Sequence, residues 1–203
     1  MLQEIKKCRI CNSKKLRDLL NLGEQPPANS LHKEGQDVKK FPLKLIICLE
    51  CKTVQLSLSL SPKFLFNNYF WVTATSSTAK EHAKTFFKLT NPYLEKKSQV
   101  IEIASNDGTF LKPFIKKNYK VLGIDPAKNI ASYANANGIK TLPNFFSFQL
   151  SNEIKKKYKN VGLIFARNVI PHVKNIHSIV KGVSNLSNTS TICAIEFHYS
   201  KHI

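Results

Sequence analysis

Four of the five cysteines fall into two pairs, Cys8-Arg-Ile-Cys11 and Cys48-Leu-Glu-Cys51, with 36 residues between them. Two thiolates spaced by two residues share one tight knuckle. Two such knuckles supply four sulfurs to a tetrahedral ion at about 2.3 Å. Met1 to Lys7 leads into Cys8 without an apolar leader segment, so the cytoplasm is the expected compartment and a metal is favoured over disulfides. The spacing therefore predicts a structural zinc site on Cys8, Cys11, Cys48 and Cys51, closed to water and not catalytic. A redox dithiol and plain buried thiols are the competing readings. Lys6, Lys7, Arg9, Lys44 and Lys52 flank the pairs, and nearby cations favour thiolates. Cys193 lies in an apolar run and reads as a buried core thiol.

A second set of reactive side chains is acidic. Seven acids follow residue 80, and Glu102, Asp107, Asp125 and Glu196 fall on or just after apolar, β-branched runs. Ala104-Ser-Asn-Asp-Gly108 is a polar turn whose backbone N–H groups can meet a carboxylate. Asp125, about 20 residues past that turn, is placed to accept the hydroxyls of a ribose. Together these residues predict a pocket for a nucleoside-bearing, partly cationic ligand. Plainer roles compete: a helix cap for Asp125, a helix start for Asp107, and a lysine partner for Glu102. Neither G-x-G-x-x-G nor a Walker lysine loop occurs.

Positioning these groups requires two domains. Residues 1–70 read as a small β-rich module: Phe41–Ile47 enters the second knuckle as a strand and Thr53–Leu58 leaves it as one. Leu19–Gly23 reads as a short apolar segment before the Pro-rich turn at Gln25–Asn29. From residue 71 to 203, strands are expected at Val100–Ala104, Tyr119–Ile124, Ile139–Leu142, Val161–Ala166 and Thr191–Phe197. Helices are expected at Ser76–Lys97, Thr109–Asn118, from Asp125-Pro126 to Gly138, at Ser151–Lys159 and at Asn175–Leu186. That alternation predicts an α/β domain with a doubly wound parallel sheet.

Composition agrees with a globular chain: 42% of its 203 residues are apolar and 22% charged. Phe64–Ala79 is uncharged, but Asn67, Asn68 and a Thr/Ser cluster make it no membrane span. The net charge of +18 is spread out, with 13 basic against 6 acidic residues up to residue 80 and 18 against 7 beyond it. Only Arg9, Arg17 and Arg167 are arginines. A lysine-biased solvated surface accounts for this better than a nucleic-acid footprint, which clusters Arg and aromatics.

The ordered motifs resemble a known family. They are the two cysteine pairs, Thr53-Val-Gln-Leu56, Tyr69, Ser76-Ser77 before Glu81-His82, Glu102-Ile-Ala-Ser-Asn-Asp-Gly108, Gly123-Ile-Asp-Pro126, Asn144-Phe-Phe146 and Asn168-x3-His172. Over nearly the whole chain this looks like the zinc-containing sugar C-methyltransferases. The resemblance implies a β-rich zinc-binding domain followed by a Rossmann-like class I methyltransferase core, with S-adenosylmethionine and Zn2+ as cofactors and a nucleotide-linked deoxy-keto-sugar as substrate. It implies that Glu102, Ala104, Asn106, Asp107 and Gly108 hold the methionine part of the cofactor. Asp125 would take the ribose, Phe145 and Phe146 would lie near the adenine, and Asn168 would line the transfer face. Ala104 stands where the family has its first glycine, which an alanine replaces only where φ is negative and Cβ has room. Members of the family continue well past this length, so the core is expected to be incomplete at its C-terminal side. A second chain supplying that half is one possible partner.

His172 is the general-base candidate for deprotonating carbon next to a ketone, since imidazole titrates near neutrality. His82, His198 and His202 have weaker claims, and a bystander role competes for each. The alternatives to a methyltransferase are a zinc-ribbon nucleic-acid-binding protein and a non-catalytic partner subunit. Neither a membrane nor nucleic acid is an expected partner.

Overall fold

The computed structural model describes residues 2–28, 31–66 and 69–198. Asn29, Asn67, Asn68 and His202 therefore lie outside the described residues. The chain divides into two units, residues 1–66 and 67–203.

The first unit is built of strands β1 (Leu2–Glu4), β2 (Leu16–Gln25), β3 (Phe41–Cys48), β4 (Val54–Leu56) and β5 (Leu58–Leu60), then a short helix α1 (Pro62–Phe66). β2, β3 and β4 form an antiparallel sheet in that order, and β1 pairs with β5. The apolar segment expected at Leu19–Gly23 is part of a ten-residue strand. Its pairing with β3 shifts register twice, between Asp18 and Leu20 and between Asn21 and Glu24. Those irregularities break the two-residue alternation by which a strand is recognised.

The second unit carries α2 (Ser77–Thr90), β6 (Gln99–Ile103), α3 (Lys112–Ile115), β7 (Lys120–Ile124), α4 (Lys128–Ala136), β8 (Thr141–Leu142), α5 (Phe148–Lys157), β9 (Val161–Arg167), α6 (Ile176–Leu186) and β10 (Ile192–Glu196). The sheet runs β10-β9-β6-β7-β8, and every pairing in it is parallel. The order reverses between β6 and β9, which is the switch point where such sheets bind ligands beyond their strand ends.

Several boundaries differ from the sequence expectation. α2 ends at Thr90 and not Lys97, because Pro92 starts a separate 3-10 turn over Asn91–Tyr93. The helix expected over Thr109–Asn118 shrinks to α3, with turns on both sides. α4 begins at Lys128 with Ala127 in the capping position, so Asp125 is not its N-cap. Ser147 caps α5 by accepting the Leu150 N–H, which starts that helix three residues earlier than expected.

The sheet is covered on both faces. Alternation sends Ile101, Ile103, Leu122, Ile124, Ile164 and Ala166 to one face, against Leu150, Ile154, Ile179 and Leu186 of α5 and α6. It sends Val100, Leu163 and Phe165 to the other, against Ala83 and Phe86 of α2 with Phe110 and Phe114. On that aromatic face Phe86 and Phe165 stack at 4.8 Å, and Phe87 meets Phe114 edge-on at 5.0 Å. β10 is covered on the aromatic face only. Cys193 and Ile195 point to the other side and are exposed, which corrects the expectation of a buried Cys193.

Candidate functional site

The two cysteine knuckles are local copies of each other. Cys8 donates its N–H to the Ser13 carbonyl and accepts from the Asn12 N–H; Cys48 does the same with Thr53 and Lys52. Asn12 and Lys52 both adopt positive φ, 61° and 63°, which turns the chain back after the second cysteine of each pair. Cys8 and Cys51 sulfurs lie 3.5 Å apart, Cys11 and Cys48 sulfurs 3.6 Å apart, and all four within 4.8 Å. A disulfide needs about 2.05 Å, whereas the edge of a tetrahedron with 2.3 Å metal–sulfur bonds is about 3.8 Å. The cluster therefore has the dimensions of a tetrathiolate metal site.

Its thiols are pulled in opposite directions by their surroundings. The Thr53 hydroxyl and N–H pull Cys51 down to about 6. The Ser13 N–H favours the Cys11 thiolate too, but desolvation and the neighbouring sulfurs outweigh it and push Cys11 up to about 12. Four thiolates this close cannot all ionise until a divalent ion offsets their repulsion.

In the second unit, the turn after β6 is held by its own side chains. Asn106, at φ 49°, donates its N–H to Asp125 Oδ2 at 2.8 Å. Its Oδ1 accepts from the N–H groups of Thr73 and Asp107, and its Nδ2 donates to the Trp71 carbonyl. Asn106 thus anchors the segment before α2 to the rim of the sheet. Asp107 accepts from the Thr109 N–H and hydroxyl, so its buried carboxylate serves the turn. Gly108 has φ +73°, and a Cβ there would lie 2.6 Å from Ile139 Cγ2, so no larger residue fits. Ala104 has φ +56°, in the left-handed region and not at the negative φ its tolerance required. That conformation costs an alanine roughly 1–2 kcal/mol.

Asp125 closes β7. Oδ2 accepts from Asn106 and Oδ1 from the Ala127 N–H. Each oxygen keeps a lone pair for a further donor. Burial raises its carboxyl above the ordinary value, opposed by those two N–H groups.

Glu102 is fully buried on β6, and alternation turns it to the aromatic face beside Arg167 of β9. Arg167 Nη2 donates to Glu102 Oε1 at 3.2 Å. The guanidinium carbon lies 3.0 Å from the centre of the Phe110 ring. Burial pushes the Glu102 carboxyl up to about 8; Arg167 opposes this, while Asp107 and Asp125 add to it.

Asn168 follows β9 at φ 50°, a conformation asparagine accepts readily. Its N–H donates to the Glu196 carbonyl at 2.8 Å, and its side chain is exposed on the rim. His172 ends a 3-10 turn over Ile170–His172 and is exposed. Phe146 is 6% exposed and packed in the core under α6, close to Gly182. Phe145 is 40% exposed.

Glu102, the 104–108 turn, Asp125 and Asn168 thus stand at the carboxyl ends of β6, β7 and β9, either side of the switch point. Two partnerships could not be foreseen. Arg167 is the last residue of a strand, and nothing in its neighbours indicates Glu102. His82, read as one of a helical stripe, points outward from α2 to Glu196 at 2.6 Å.

The second unit is thus an all-parallel, Rossmann-like α/β sheet of this order, covered by helices on both faces, and a four-cysteine unit precedes it in the chain. Residues 8–66 match a family described as "Putative zinc binding domain". The chain is 28% identical over 207 residues to the C-methyltransferase NovU of Streptomyces niveus, an alignment covering 98% of this chain and 49% of NovU. It therefore spans about half the length of that curated relative. Among solved structures, the PH0226 protein of Pyrococcus horikoshii OT3 superposes with a TM-score of 0.51 at 14% identity, covering 64% of this chain and 59% of the other. A SAM-dependent methyltransferase of Archaeoglobus fulgidus gives 0.48 at 13% identity, with 56% and 51% covered. The likeness first carried by the motifs is thus found again in the sequence match to a C-methyltransferase. No described helix is long and apolar enough to cross a membrane.

Proposed function

We propose that this chain is an S-adenosylmethionine-dependent methyltransferase, or the cofactor-binding portion of one, acting on a carbon of a nucleotide-linked deoxy-keto-sugar. The observation that carries the reading is the grouping of Glu102, the Asn106 turn and Asp125 on adjacent parallel strands at the switch point. In a chain of net charge +18, acids gathered there suit a cationic nucleoside ligand. The kinship with a C-methyltransferase supports the same reading.

On this proposal Glu102 and the 104–108 turn hold the amino-acid end of the cofactor. The remaining lone pairs of Asp125 accept the ribose hydroxyls. Phe145 offers the ring face for adenine, with Phe146 behind it as support. The bound cofactor supplies an electrophilic methyl group. His172 takes a proton from the acceptor carbon, the Asn168 segment lines the acceptor side, and the cysteine site holds structural zinc. Four cysteines grouped to hold a metal suit a reducing compartment, and we place the protein in the cytoplasm.

Titration calorimetry of the full chain with S-adenosylmethionine and its demethylated product tests the reading. Saturable heat with both is expected; none with either overturns it. A nucleoside-diphosphate keto-deoxysugar titrated into the loaded protein tests the acceptor class in the same way.

A further inference from the structure

Glu102 uses little of its hydrogen-bonding capacity. A carboxylate offers about four lone-pair sites, and the described residues fill one of them, on Oε1. Oε2 is buried and has no partner among the described residues. A buried carboxylate in that condition is costly, and one contact at 3.2 Å does not offset its desolvation. Arg167 could satisfy both oxygens only by presenting two parallel N–H groups. It makes one contact only, with its guanidinium carbon held over the ring of Phe110, itself 1% exposed. Arg167 Nε is likewise buried with no partner among the described residues. Phe110 is itself held in the aromatic cluster, with Phe86 and the His82 ring meeting it edge-on.

We propose that Arg167 is a positioning residue: clamped on Phe110, it holds Oε1 of Glu102 and leaves Oε2 as the acceptor for an N–H-bearing cationic group of the ligand. The inference rests on the S-adenosylmethionine reading, whose ligand carries an ammonium. The charged groups acting on Glu102 are Arg167 from β9, Asp107 from the following turn and Asp125 from β7. Arg167 is the one cation among them. Its removal leaves Glu102 protonated to higher pH, and a protonated carboxyl is a poor partner for an ammonium. Lysine supplies the charge without the planar group that lies on Phe110.

The test is calorimetry of the full chain with the demethylated product between pH 6 and 9. The wild type, Arg167→Gln, Arg167→Lys, Glu102→Gln and the Arg167→Gln/Glu102→Gln pair are compared. Wild-type affinity should rise with pH as Glu102 ionises. In Arg167→Gln that rise is displaced upward, with a loss of about tenfold at neutral pH for each unit of displacement. Glu102→Gln should bind weakly with a flat profile, and the double variant no more weakly than Glu102→Gln alone. Arg167→Lys should keep the pH rise yet bind more weakly than wild type throughout. It also carries the test if the glutamine variant fails to fold. Wild-type affinity and profile in either Arg167 variant, or additive losses in the double variant, overturn the proposal. No binding by the wild type overturns the methyltransferase reading itself.

Discussion

Nε2 of His82 lies 2.6 Å from Oε2 of Glu196, joining α2 to the last residue of β10. The His82 ring also meets Phe110 edge-on at 5.4 Å, and Phe110 carries Arg167 3.0 Å from its centre. One phenyl ring therefore separates the Arg167–Glu102 ion pair from the His82–Glu196 hydrogen bond. His82 and Glu196 are 45% and 36% exposed at their side chains, Arg167 and Glu102 only 12% and 1%. The two pairs should respond very differently to mutation. Glu196→Gln should cost less than about 1 kcal/mol, as exposed pairs do. Arg167→Leu should cost more, about 1–3 kcal/mol at neutral pH, because the buried Glu102 carboxyl loses its hydrogen-bond partner and is left as a neutral, unsatisfied acid. Urea denaturation of both variants checks the contrast.

The raised Glu102 carboxyl sets a pH dependence of stability. The folded state holds this proton up to about 8, while the unfolded chain releases it near 4.5. The folded state thus binds more protons between those values, so this group's stabilisation is full below pH 4.5 and is lost as pH rises through 8. Melting temperature should fall across that window in the wild type. Glu102→Gln should flatten the slope, and an unchanged slope would show that Glu102 is not its source.

Chelation should act on the first unit. Cys193 is exposed and is not one of the four clustered cysteines, so zinc-loaded protein should show one fast-reacting thiol. After chelation all five cysteines should react. Circular dichroism should show loss of strand signal at the same time, because a structural ion contributes folding energy directly.

Backbone strain at Ala104 makes a signed prediction. Ala104→Gly relieves the left-handed cost of roughly 1–2 kcal/mol but adds about 0.5–1 kcal/mol of unfolded-chain entropy. A net gain near 0.5 kcal/mol, or a melting rise of a degree or two for a unit of this size, is expected. Gly108→Ala goes the other way, since Ile139 already fills the space and φ is positive.

The two phenylalanines before α5 should separate packing from binding. Phe146→Ala opens the core beneath α6 and should cost about 3–5 kcal/mol. Phe145→Ala should leave the melting temperature nearly unchanged and weaken adenosine binding, read by calorimetry.

Much of this was legible in the residues, for identifiable reasons. The cysteine knuckles depend on local spacing alone, and both formed. The buried strands β6 and β9 are continuous apolar runs, recognisable without their partners. β2 was not legible, because its polar residues and register shifts hide the alternation. Cys193 misled because an apolar run suggests two covered faces, and β10 is packed on its aromatic face alone. Among the site residues, Asp125 was foreseen as a strand-end acid, but not that both its oxygens are occupied by backbone N–H groups. The bonds from Arg167 to Glu102 and from His82 to Glu196 span 65 and 114 positions. Only the sheet order brings such distant residues together.

The β2–β3 hairpin springs from between the two knuckles, with Leu16 paired to Cys48 at its root. An ion gripping both knuckles would pin the two feet of that hairpin at a single point. Withdraw the ion and both feet are released in one event, so the hairpin should melt as a block and not fray gradually from its tip.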